Sequence, residues 1–434
     1  PGMPVKVLRH LLARHAPVRV RWPLAAADVA WMRRWHAACE PARYAANRAR
    51  MQRLAFYSRH RLHEVAARMA YDFDRTTGYM VLLRGDRDRQ MVQPGLALLR
   101  ELEVPFHEIT ADEARQIEPA LHPHTPLAGA VHLPQDEVGN CRQFAVILRD
   151  AAEQLGARFV FNTAVSAVDT AQTATLYIAG ETAPQRFDAI VLCAGVQSAA
   201  LLRPLGLRLP LRPVYGYSIS AHIPEPVYAP RSGVMDERYK VAITRMGQRV
   251  RVAGSAEIGG TPDAMNDAAI QTLYKVLADW FPGAARLSSG VQVWKGARPM
   301  LPDGPPIVGA SGIPSLWLNL GHGSSGWALA CGSARVLADL YWELVYQELA
   351  QGDLRTHALQ RSLDYTLEAL RLAPEEAALH LRHGRLLQSL GDPTAARQAY
   401  ERALALGMPK TRVVPYLAEV TYDMRHYGET HRLM

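Results

Sequence analysis

The most informative segment of the sequence is LWLNLGHGSSGWALACGSARVLADL, residues 316–340. The apolar run LWLNL predicts a strand over 316–320, and the pattern from Trp327 to about Leu349 predicts a long helix. Between them lies GHGSSG (321–326), whose glycines allow a ligand to approach the backbone closely. Free N–H groups at a helix N-terminus attract negative charge, so we interpret this loop as a contact for an anionic part of a ligand.

The GHGSSG loop satisfies G-x-G-x-x-G, but its surroundings are not those of the first turn of a Rossmann unit. That unit needs a second parallel strand that ends in an acidic residue about twenty residues further on. Here the acidic residues Asp339 and Glu343 fall within the predicted helix, and no second strand follows. Taken alone, the loop is weak support for any particular cofactor.

Outside this segment the pattern alternates between helices and strands. Helices are predicted over 25–69, 140–155 and 264–281. Strands are predicted in RFVFNTAVSAVDT (158–170), ATLYIAG (174–180) and AIVLCAG (189–195), and alternating with turns from Val214 to Ile258. In RVRVAGSAEI, Arg249 and Arg251 should lie on one face, with Val250 and Val252 on the other.

The composition is that of a folded protein of two or three domains, with 434 residues of which 49% are hydrophobic. No run of eighteen apolar residues predicts a membrane-spanning helix. The net charge is +8, yet no nucleic-acid recognition motif is present, so we expect no nucleic-acid partner. The four cysteines form no CxxC pair, which argues against a metal site or a disulfide framework and favours the reduced cytoplasm.

Residues 1–61 are strongly basic, with thirteen Lys or Arg against only Asp28 and Glu40. The segment also contains Trp22, Trp31 and Trp35. Basic residues interleaved with tryptophan are typical of a surface that docks on an anionic bilayer. The alternative is a solvated helical face whose tryptophans pack on the core.

The C-terminal part has a different character, and it contains an internal repeat. EALRLAP (368–374) recurs as ERALALGMP (401–409), with Ala369 and Ala403 thirty-four residues apart. That spacing is the tetratricopeptide period, and Gly384 and Tyr400 stand at positions where the repeat needs small and aromatic residues. We therefore predict an all-α tetratricopeptide-like tail that could bind a protein partner; a generic helical hairpin is the alternative.

Seven stretches together give a stronger signal than any one motif, and they follow the same order in a known family. The sequence resembles the D-amino-acid dehydrogenase family, part of a wider group with glycine oxidase, sarcosine oxidase and D-amino-acid oxidase. The stretches that carry the resemblance are RHAPVRVR (14–21), ARYAANRARM (42–51), LPQDEVGNC (133–141), VYGYS (214–218), YKVAITRMGQRVRVAGSAEIGG (239–260), RPMLPDGPPIVG (298–309) and the segment 316–340.

The resemblance implies FAD as the cofactor and an FAD-dependent oxidoreductase fold of α/β plus α+β class. In that fold a Rossmann-like FAD domain is joined to a substrate domain built on an antiparallel sheet. We expect a helical linker over 1–70, the substrate domain over 71–120 and 211–295, the FAD-binding domain over 121–210 and 296–349, and the repeat over 355–434. Because the family's first strand, G-x-G-x-x-G turn and helix are absent, we also expect the FAD domain to be incomplete and flavin binding by this chain to be weak.

The resemblance also suggests site residues. It implies that Arg298 binds the substrate carboxylate, because an arginine fork makes two-point contacts with carboxylates, and that Tyr239 donates its hydroxyl to the same group. A structural ion pair for Arg298 and a core position for Tyr239 are the alternatives. No metal ligand is expected. The cofactor contacts implied are Val165, Ala194, Gly195, Gly321, His322, Gly323, Ser324, Ser325 and Gly326. For Val165, Ala194 and Gly195, ordinary packing positions are the alternative.

The function implied is oxidative deamination of a D-amino acid to a 2-oxo acid and ammonia, by hydride transfer to FAD. His322 is expected to position groups rather than to act as a base. Electrons would pass to a quinone-type acceptor at the membrane. Two alternatives remain open: an oxygen-using amine oxidase of the glycine or sarcosine oxidase type, and an inactive flavoprotein whose helical tail binds a partner.

Overall fold

The computed structural model describes residues 15–69, 72–349, 353–426 and 430. The first fourteen residues of the basic segment, and most of the last eight residues of the tail, therefore lie outside the described residues. The strands are, in chain order, β1 (Val18–Val20), β2 (Thr76–Leu83), β3 (His107–Ile109), β4 (Gly129–Val138), β5 (Val165–Asp169), β6 (Ala174–Ile178), β7 (Gln185–Phe187), β8 (Ile190–Leu192), β9 (Arg212–His222), β10 (Gly233–Asp236), β11 (Val241–Met246), β12 (Arg249–Ile258), β13 (Gln292–Met300), β14 (Ile307–Ala310) and β15 (Leu316–Leu320).

The α-helices of the same residues are interspersed with these strands, and the last five follow the final strand. In chain order they are α1 (Ala26–Ala38), α2 (Pro41–Met69), α3 (Asp86–Glu101), α4 (Ala111–Ile117), α5 (Cys141–Gln154), α6 (Ser198–Leu202), α7 (Asp267–Trp280), α8 (Gly326–Leu349), α9 (Asp353–Leu372), α10 (Ala377–Ser389), α11 (Pro393–Ala405) and α12 (Lys410–Asp423). Among the described residues, none of these helices combines the length and the apolar character needed to cross a bilayer.

The largest sheet of the described residues is mixed and has nine strands. Its strands follow the order β13-β9-β12-β11-β10-β2-β4-β3, and β1 pairs in parallel with β12. The amphipathic helix α7 packs on one face, where Ile219, Ile243, Val252 and Leu273 are fully buried. The predicted alternation in β12 is confirmed, because Val250 and Val252 are buried while Arg249 and Arg251 on the other face are half-exposed. The face opposite α7 is the one that matters for the site.

A second, smaller sheet has the order β14-β15-β8, with β15 and β8 parallel. Strand β15 has the predicted bounds, and α8 begins at Gly326, directly after the glycine-rich loop. Helix α8 packs closely on α2, since a Cβ at Gly332 would lie 2.8 Å from the Ser58 Cβ. This sheet and the large sheet give the α/β plus α+β class that was expected.

Two details of the predicted organisation are wrong. RFVFNT was predicted as a strand, but β5 begins only at Val165. The β-branched and aromatic pattern is present, yet within the described residues no strand pairs with 158–163, and Phe159, Val160 and Phe161 are exposed. Residues 129–138 were assigned to the FAD-binding domain, but β4 pairs with β2 in the large sheet, because its alternating apolar residues complete that core. The remaining domain boundaries stay predictions.

The N-terminal helical region is broken into two helices. Helix α1 ends at Ala38, and α2 starts at Pro41, a residue favoured in the first helical turn because it has no N–H to satisfy. The carboxylate of Glu40 accepts hydrogen bonds from the backbone N–H groups of Ala42 and Arg43. This interaction lowers the pKa of Glu40, so the break is a capped helix start rather than a kink.

Over residues 353–426, the tail forms the four helices α9 to α12, which pack in sequence order. Gly384 of α10 lies directly under the Tyr400 ring of α11, where a Cβ would be 2.4 Å from Cε1. The Tyr400 hydroxyl donates to Gln388 Oε1 at 2.7 Å, and the Tyr400 side chain is fully buried. The pairing of a small residue with an aromatic one is therefore real, while the assignment to the tetratricopeptide class stays a prediction.

Candidate active site

Arg298 lies on β13, on the face of the large sheet opposite α7. Its backbone pairs with Val214 of β9, and its side chain runs across the neighbouring strand above Gly216. A Cβ at Gly216 would lie 2.2 Å from Nη2, so the guanidinium occupies the space that only a glycine leaves free. Arg298 Nη1 donates to the Ser255 carbonyl oxygen at 3.0 Å. Glycine inside a strand often marks such a close approach.

The charge of Arg298 has no acidic counterpart in the described residues, where its hydrogen bond is to a carbonyl oxygen. Burial lowers the pKa of Arg298, and the positive charge of Arg251 on the same face lowers it further. The guanidinium nevertheless stays protonated at neutral pH, because arginine titrates far above it. Burying a cation without an anion is unfavourable, so the arrangement calls for an anionic ligand.

The carbonyl that holds Arg298 belongs to a bulge in β12. The register of β12 against β9 shifts between Gly254 and Glu257, and Ser255 within the bulge has a φ of +61°. A positive φ costs energy for a residue with a Cβ and persists only where its surroundings impose it. The bulge turns the Ser255 carbonyl towards Arg298, so that it orients the guanidinium.

A buried ionic network on the opposite face fixes this bulge. Glu257 is fully buried and accepts hydrogen bonds from the Tyr217 hydroxyl at 3.1 Å, from Asn266 Nδ2 at 2.6 Å and from Lys295 Nζ at 3.2 Å. Lys295 also donates to the carbonyl oxygens of Thr261 at 2.8 Å and Ala264 at 2.6 Å. Burial, and then the Glu257 charge, raise the pKa of Tyr217, which therefore stays a neutral donor. Every donor on the Lys295 ammonium has a partner, so this pair is structural.

The glycine-rich loop lies beside the end of β13. His322 forms an isolated bridge with Met300, two residues after Arg298. Gly321 and Gly323 have φ values of +81° and +56°, and Cβ atoms there would lie 2.5 Å from Leu301 Cδ1 and Met300 Sδ, respectively. The loop thus needs glycine for both conformation and space, and it is held against the strand that carries Arg298.

His322 is held as a neutral imidazole. Its Nε2 lies 3.0 Å from the Ser333 hydroxyl, which itself donates to the Ala330 carbonyl at 3.1 Å. Because the Ser333 proton is used, Nε2 is the donor and Nδ1 carries the lone pair, an assignment that rests on the hydrogen-bond network. Burial lowers the pKa of His322.

The rest of the loop forms the start of α8. Ser325 N donates to the His322 carbonyl at 3.1 Å in a tight turn, Ser324 is exposed, and Gly326 is the first residue of the helix. Backbone N–H groups in the first turn of a helix have no partners within the helix. The predicted loop residues are therefore together at one helix N-terminus, next to Arg298.

The remaining predicted cofactor contacts lie around the small sheet. Ala194 packs on its core just after β8, and Gly195 follows with a φ of +56° and open space where a Cβ would be. Val165 is exposed at the start of β5. Two buried polar atoms near these segments have no hydrogen-bond partner in the described residues, namely Ser198 Oγ on α6 and Asn319 Oδ1 on β15.

These features fit an extended cofactor with polar groups along its length, as FAD is. Such a ligand would use three features: the space beside Gly195, the unpartnered Ser198 hydroxyl on the following helix, and the unpartnered Asn319 amide oxygen ahead of the 321–326 loop. Ser198 and Asn319 would hydrogen-bond it, and the loop would approach its flavin end.

Tyr239 lies away from this group. Its ring packs on the α7 face, 5.1 Å from the Arg84 guanidinium carbon and 5.4 Å from Lys275 Nζ. Arg84 in turn binds the buried Asp236 carboxylate at 2.6 Å. Tyr239 and Arg298 are thus on opposite faces of the sheet, and the structure does not bring them together. Tyr239 sits in the turn before β11, where cation–π contacts hold the ring on the α7 side.

Sequence reasoning missed three residues of the site, Gly216, Arg251 and Ser255. A glycine in the middle of the predicted strand VYGYS was a usable signal for Gly216. Nothing in AGSAE marks Ser255 as the bulged residue, because the bulge depends on pairing with β9. Arg251 was assigned to the correct face, but its proximity to Arg298 depends on the order of strands.

Comparisons with known proteins agree with this architecture. Residues 25–340 match the model of the FAD dependent oxidoreductase (DAO) family. A D-amino acid dehydrogenase from Bradyrhizobium diazoefficiens is 40% identical over 342 residues, which cover 78% of this chain and 81% of that protein. One from Rhizorhabdus wittichii is also 40% identical over 342 residues, covering 78% of this chain and 82% of that protein.

Among solved structures, glycine oxidase from Geobacillus kaustophilus superposes with a TM-score of 0.60 at 23% identity, over 66% of this chain and 78% of that one. L-proline dehydrogenase from P. horikoshii superposes with a TM-score of 0.58 at 16% identity, over 70% of this chain and 81% of that one. These likenesses show the shared fold.

Proposed function

This chain belongs to the family of FAD-dependent oxidoreductases, and from that premise we propose that it oxidises D-amino acids to 2-oxo acids and ammonia. The observation that carries the substrate class is the Arg298 cation, which is half-buried, lacks an acidic partner in the described residues and stands beside the glycine-rich loop. A carboxylate is the complementary ligand for such a guanidinium. The names of the 40% identical relatives support the choice of a D-amino acid.

Arg298 would hold the substrate carboxylate and so orient the Cα–H bond. One guanidinium nitrogen is already bonded to the Ser255 carbonyl, which limits rotation of the fork before substrate arrives. FAD, when bound, accepts the hydride that leaves the substrate Cα. The protein's contribution is orientation, which can supply a large part of the rate enhancement. Water then hydrolyses the imino acid to the 2-oxo acid and ammonia.

His322 and the 321–326 loop would hold the cofactor end of the site in place. The neutral His322 is tied to α8 through Ser333, and Gly321 and Gly323 keep the loop against β13. Gly321 lies against the side chain of Leu301, which is three residues after Arg298. The position of the loop is therefore coupled to the position of Arg298. Val165, Ala194 and Gly195 are proposed to line the path of the cofactor towards its adenine end.

We further propose that electrons pass to a quinone-type acceptor at a membrane surface that the chain docks on peripherally. Trp22 is 76% exposed, and the neighbouring helices carry exposed arginines with few acidic residues. Trp31, in contrast, is buried and donates to the Met300 carbonyl, so only part of the predicted aromatic surface is available. The helical tail is proposed to bind a protein partner, because its repeat period is typical of protein-binding arrays.

The test is reduction by D-alanine, without oxygen, of the protein loaded with flavin by incubation with excess FAD. We expect the flavin absorbance to bleach with D-alanine and not with L-alanine, and Arg298→Met to raise KM strongly. A quinone analogue should restore the absorbance without hydrogen peroxide, whereas stoichiometric peroxide in air would identify an oxidase instead. No bleaching by any D-amino acid would refute the proposal.

A further inference from the structure

Ser255 has a buried hydroxyl that nothing in the described structure satisfies. The residue is 6% exposed, and its Oγ has no hydrogen-bond partner among the described residues. A buried hydroxyl without a partner is unfavourable, and in native proteins it usually has a functional explanation or binds an additional ligand. The same residue has a φ of +61°, so the fold also tolerates backbone strain at this position.

The position of this hydroxyl relative to Arg298 is restricted by covalent geometry. The carbonyl oxygen of Ser255 accepts a hydrogen bond of 3.0 Å from Arg298 Nη1. The hydroxyl belongs to the same residue, so bond lengths keep it within roughly 7 Å of the guanidinium. A carboxylate bound by Arg298 has two oxygens, and each can accept more than one hydrogen bond.

We propose that the Ser255 hydroxyl is a second hydrogen-bond donor to the carboxylate that Arg298 binds. This inference rests on the proposed function, because it assumes a substrate with a carboxylate. Ser255 then has two roles: its carbonyl orients the empty guanidinium, and its hydroxyl binds the ligand. The buried Glu257–Lys295 pair supports both by fixing the bulge from the other face of the sheet.

The substitution Ser255→Ala isolates the hydroxyl. Alanine keeps the Cβ, so the strain at positive φ and the carbonyl contact with Arg298 stay the same, and only Oγ is lost. If the hydroxyl serves the ligand, the ligand-free variant should melt at the same temperature as the wild type or higher, because an unsatisfied buried group has been removed. A structural hydroxyl would give a lower melting temperature.

Binding of propionate provides a measure that does not depend on turnover. Propionate has the carboxylate and carbon skeleton of alanine without the amine, and calorimetric titration of the flavin-loaded protein gives its Kd. We expect Ser255→Ala to raise this Kd about tenfold, the effect of losing one hydrogen bond to a charged group. The KM for D-alanine should rise by a similar factor, while kcat changes by less than about twofold.

Thr76→Val is the matched control. Thr76 Oγ1 is likewise a buried, unpartnered hydroxyl, but it lies on β2, three strands away from β12 in the sheet order. This variant should share the unchanged or higher melting temperature and bind propionate as the wild type does. The inference is overturned if Ser255→Ala binds propionate normally, if its ligand-free melting temperature drops, or if the wild type does not bind propionate. Propionate binding that depends on Ser255, without oxidation of D-alanine, would refute the proposed reaction alone.

Discussion

The guanidinium of Arg298 fills the space above Gly216, so adding one methyl group at Gly216 should displace it. In Gly216→Ala the new Cβ would lie 2.2 Å from Nη2, 2.4 Å from Cζ and 2.6 Å from Nη1 of Arg298. Ordinary non-bonded contacts begin at about 3.5 Å, so the guanidinium has to retreat by roughly 1 Å. The clashing atoms are the end of a flexible side chain, and Gly216 has no positive φ. The protein should therefore fold, but with its carboxylate-binding group displaced.

A misplacement of about 1 Å costs on the order of a hundredfold in rate, so kcat/KM for D-alanine should fall by about that factor. Steady-state kinetics of the flavin-loaded variant, with circular dichroism and flavin content alongside, provide the measurement. Gly95→Ala is the control, because no atom lies within 4 Å of the Cβ that it would add within α3. It should keep wild-type kinetics and stabilise the helix by about 0.5–1 kcal/mol. Native kcat/KM in Gly216→Ala would show that Arg298 does not bind the substrate in the position described.

Three further predictions follow from other parts of the molecule. Burial lowers the pKa of His322, so the unfolded chain binds that proton more readily and stability is lost as pH falls below about 6.5. Between pH 7 and pH 5.5, the melting temperature of His322→Gln should therefore fall less than that of the wild type. Equal falls in the two proteins would contradict this. Gly384→Ala places a Cβ 2.4 Å from the buried Tyr400 ring and should destabilise the tail by about 1–3 kcal/mol in thermal unfolding. An unchanged unfolding transition would contradict this and would mean that α10 and α11 can move apart to accommodate the methyl group. The wild type should co-sediment with vesicles rich in anionic lipid, and this binding should weaken at high salt. Trp22→Ala should bind the same vesicles more weakly than the wild type. If the wild type does not bind, the basic surface is solvated and does not dock on a membrane.

Sequence patterns predicted the individual helices and strands of this protein better than they predicted which elements pair or pack together. The bounds of β15, the alternation in β12 and the helical character of α7 follow from apolar periodicity, which is a property of each segment alone. The RFVFNT segment shows the limit, because its pattern is that of a strand but a strand also needs a neighbour. The break between α1 and α2 was missed although Pro41 was visible, since a proline in a helical pattern can either start or kink a helix.

The candidate site was predictable to a similar extent. Arg298 and the 321–326 loop came from a resemblance carried by contiguous motifs, and the structure places them side by side. The face on which Tyr239 packs could not be read from the sequence, because it depends on the contacts of a turn residue with Arg84 and Lys275. The role of Ser255 depends on a register shift between two strands, which no local pattern encodes.

The distribution of charge across the large sheet has a consequence for the acidity of the substrate. Lys295 faces α7 and is neutralised by Glu257, whereas Arg298 and Arg251 share the other face, and the charge of Arg251 is felt at Arg298. An amino acid bound there neutralises one positive charge with its carboxylate, and its ammonium group still lies in a cationic environment. Like charge favours deprotonation. The site would therefore lower the ammonium pKa and increase the fraction of free amine, the form whose nitrogen lone pair can assist departure of a hydride from Cα.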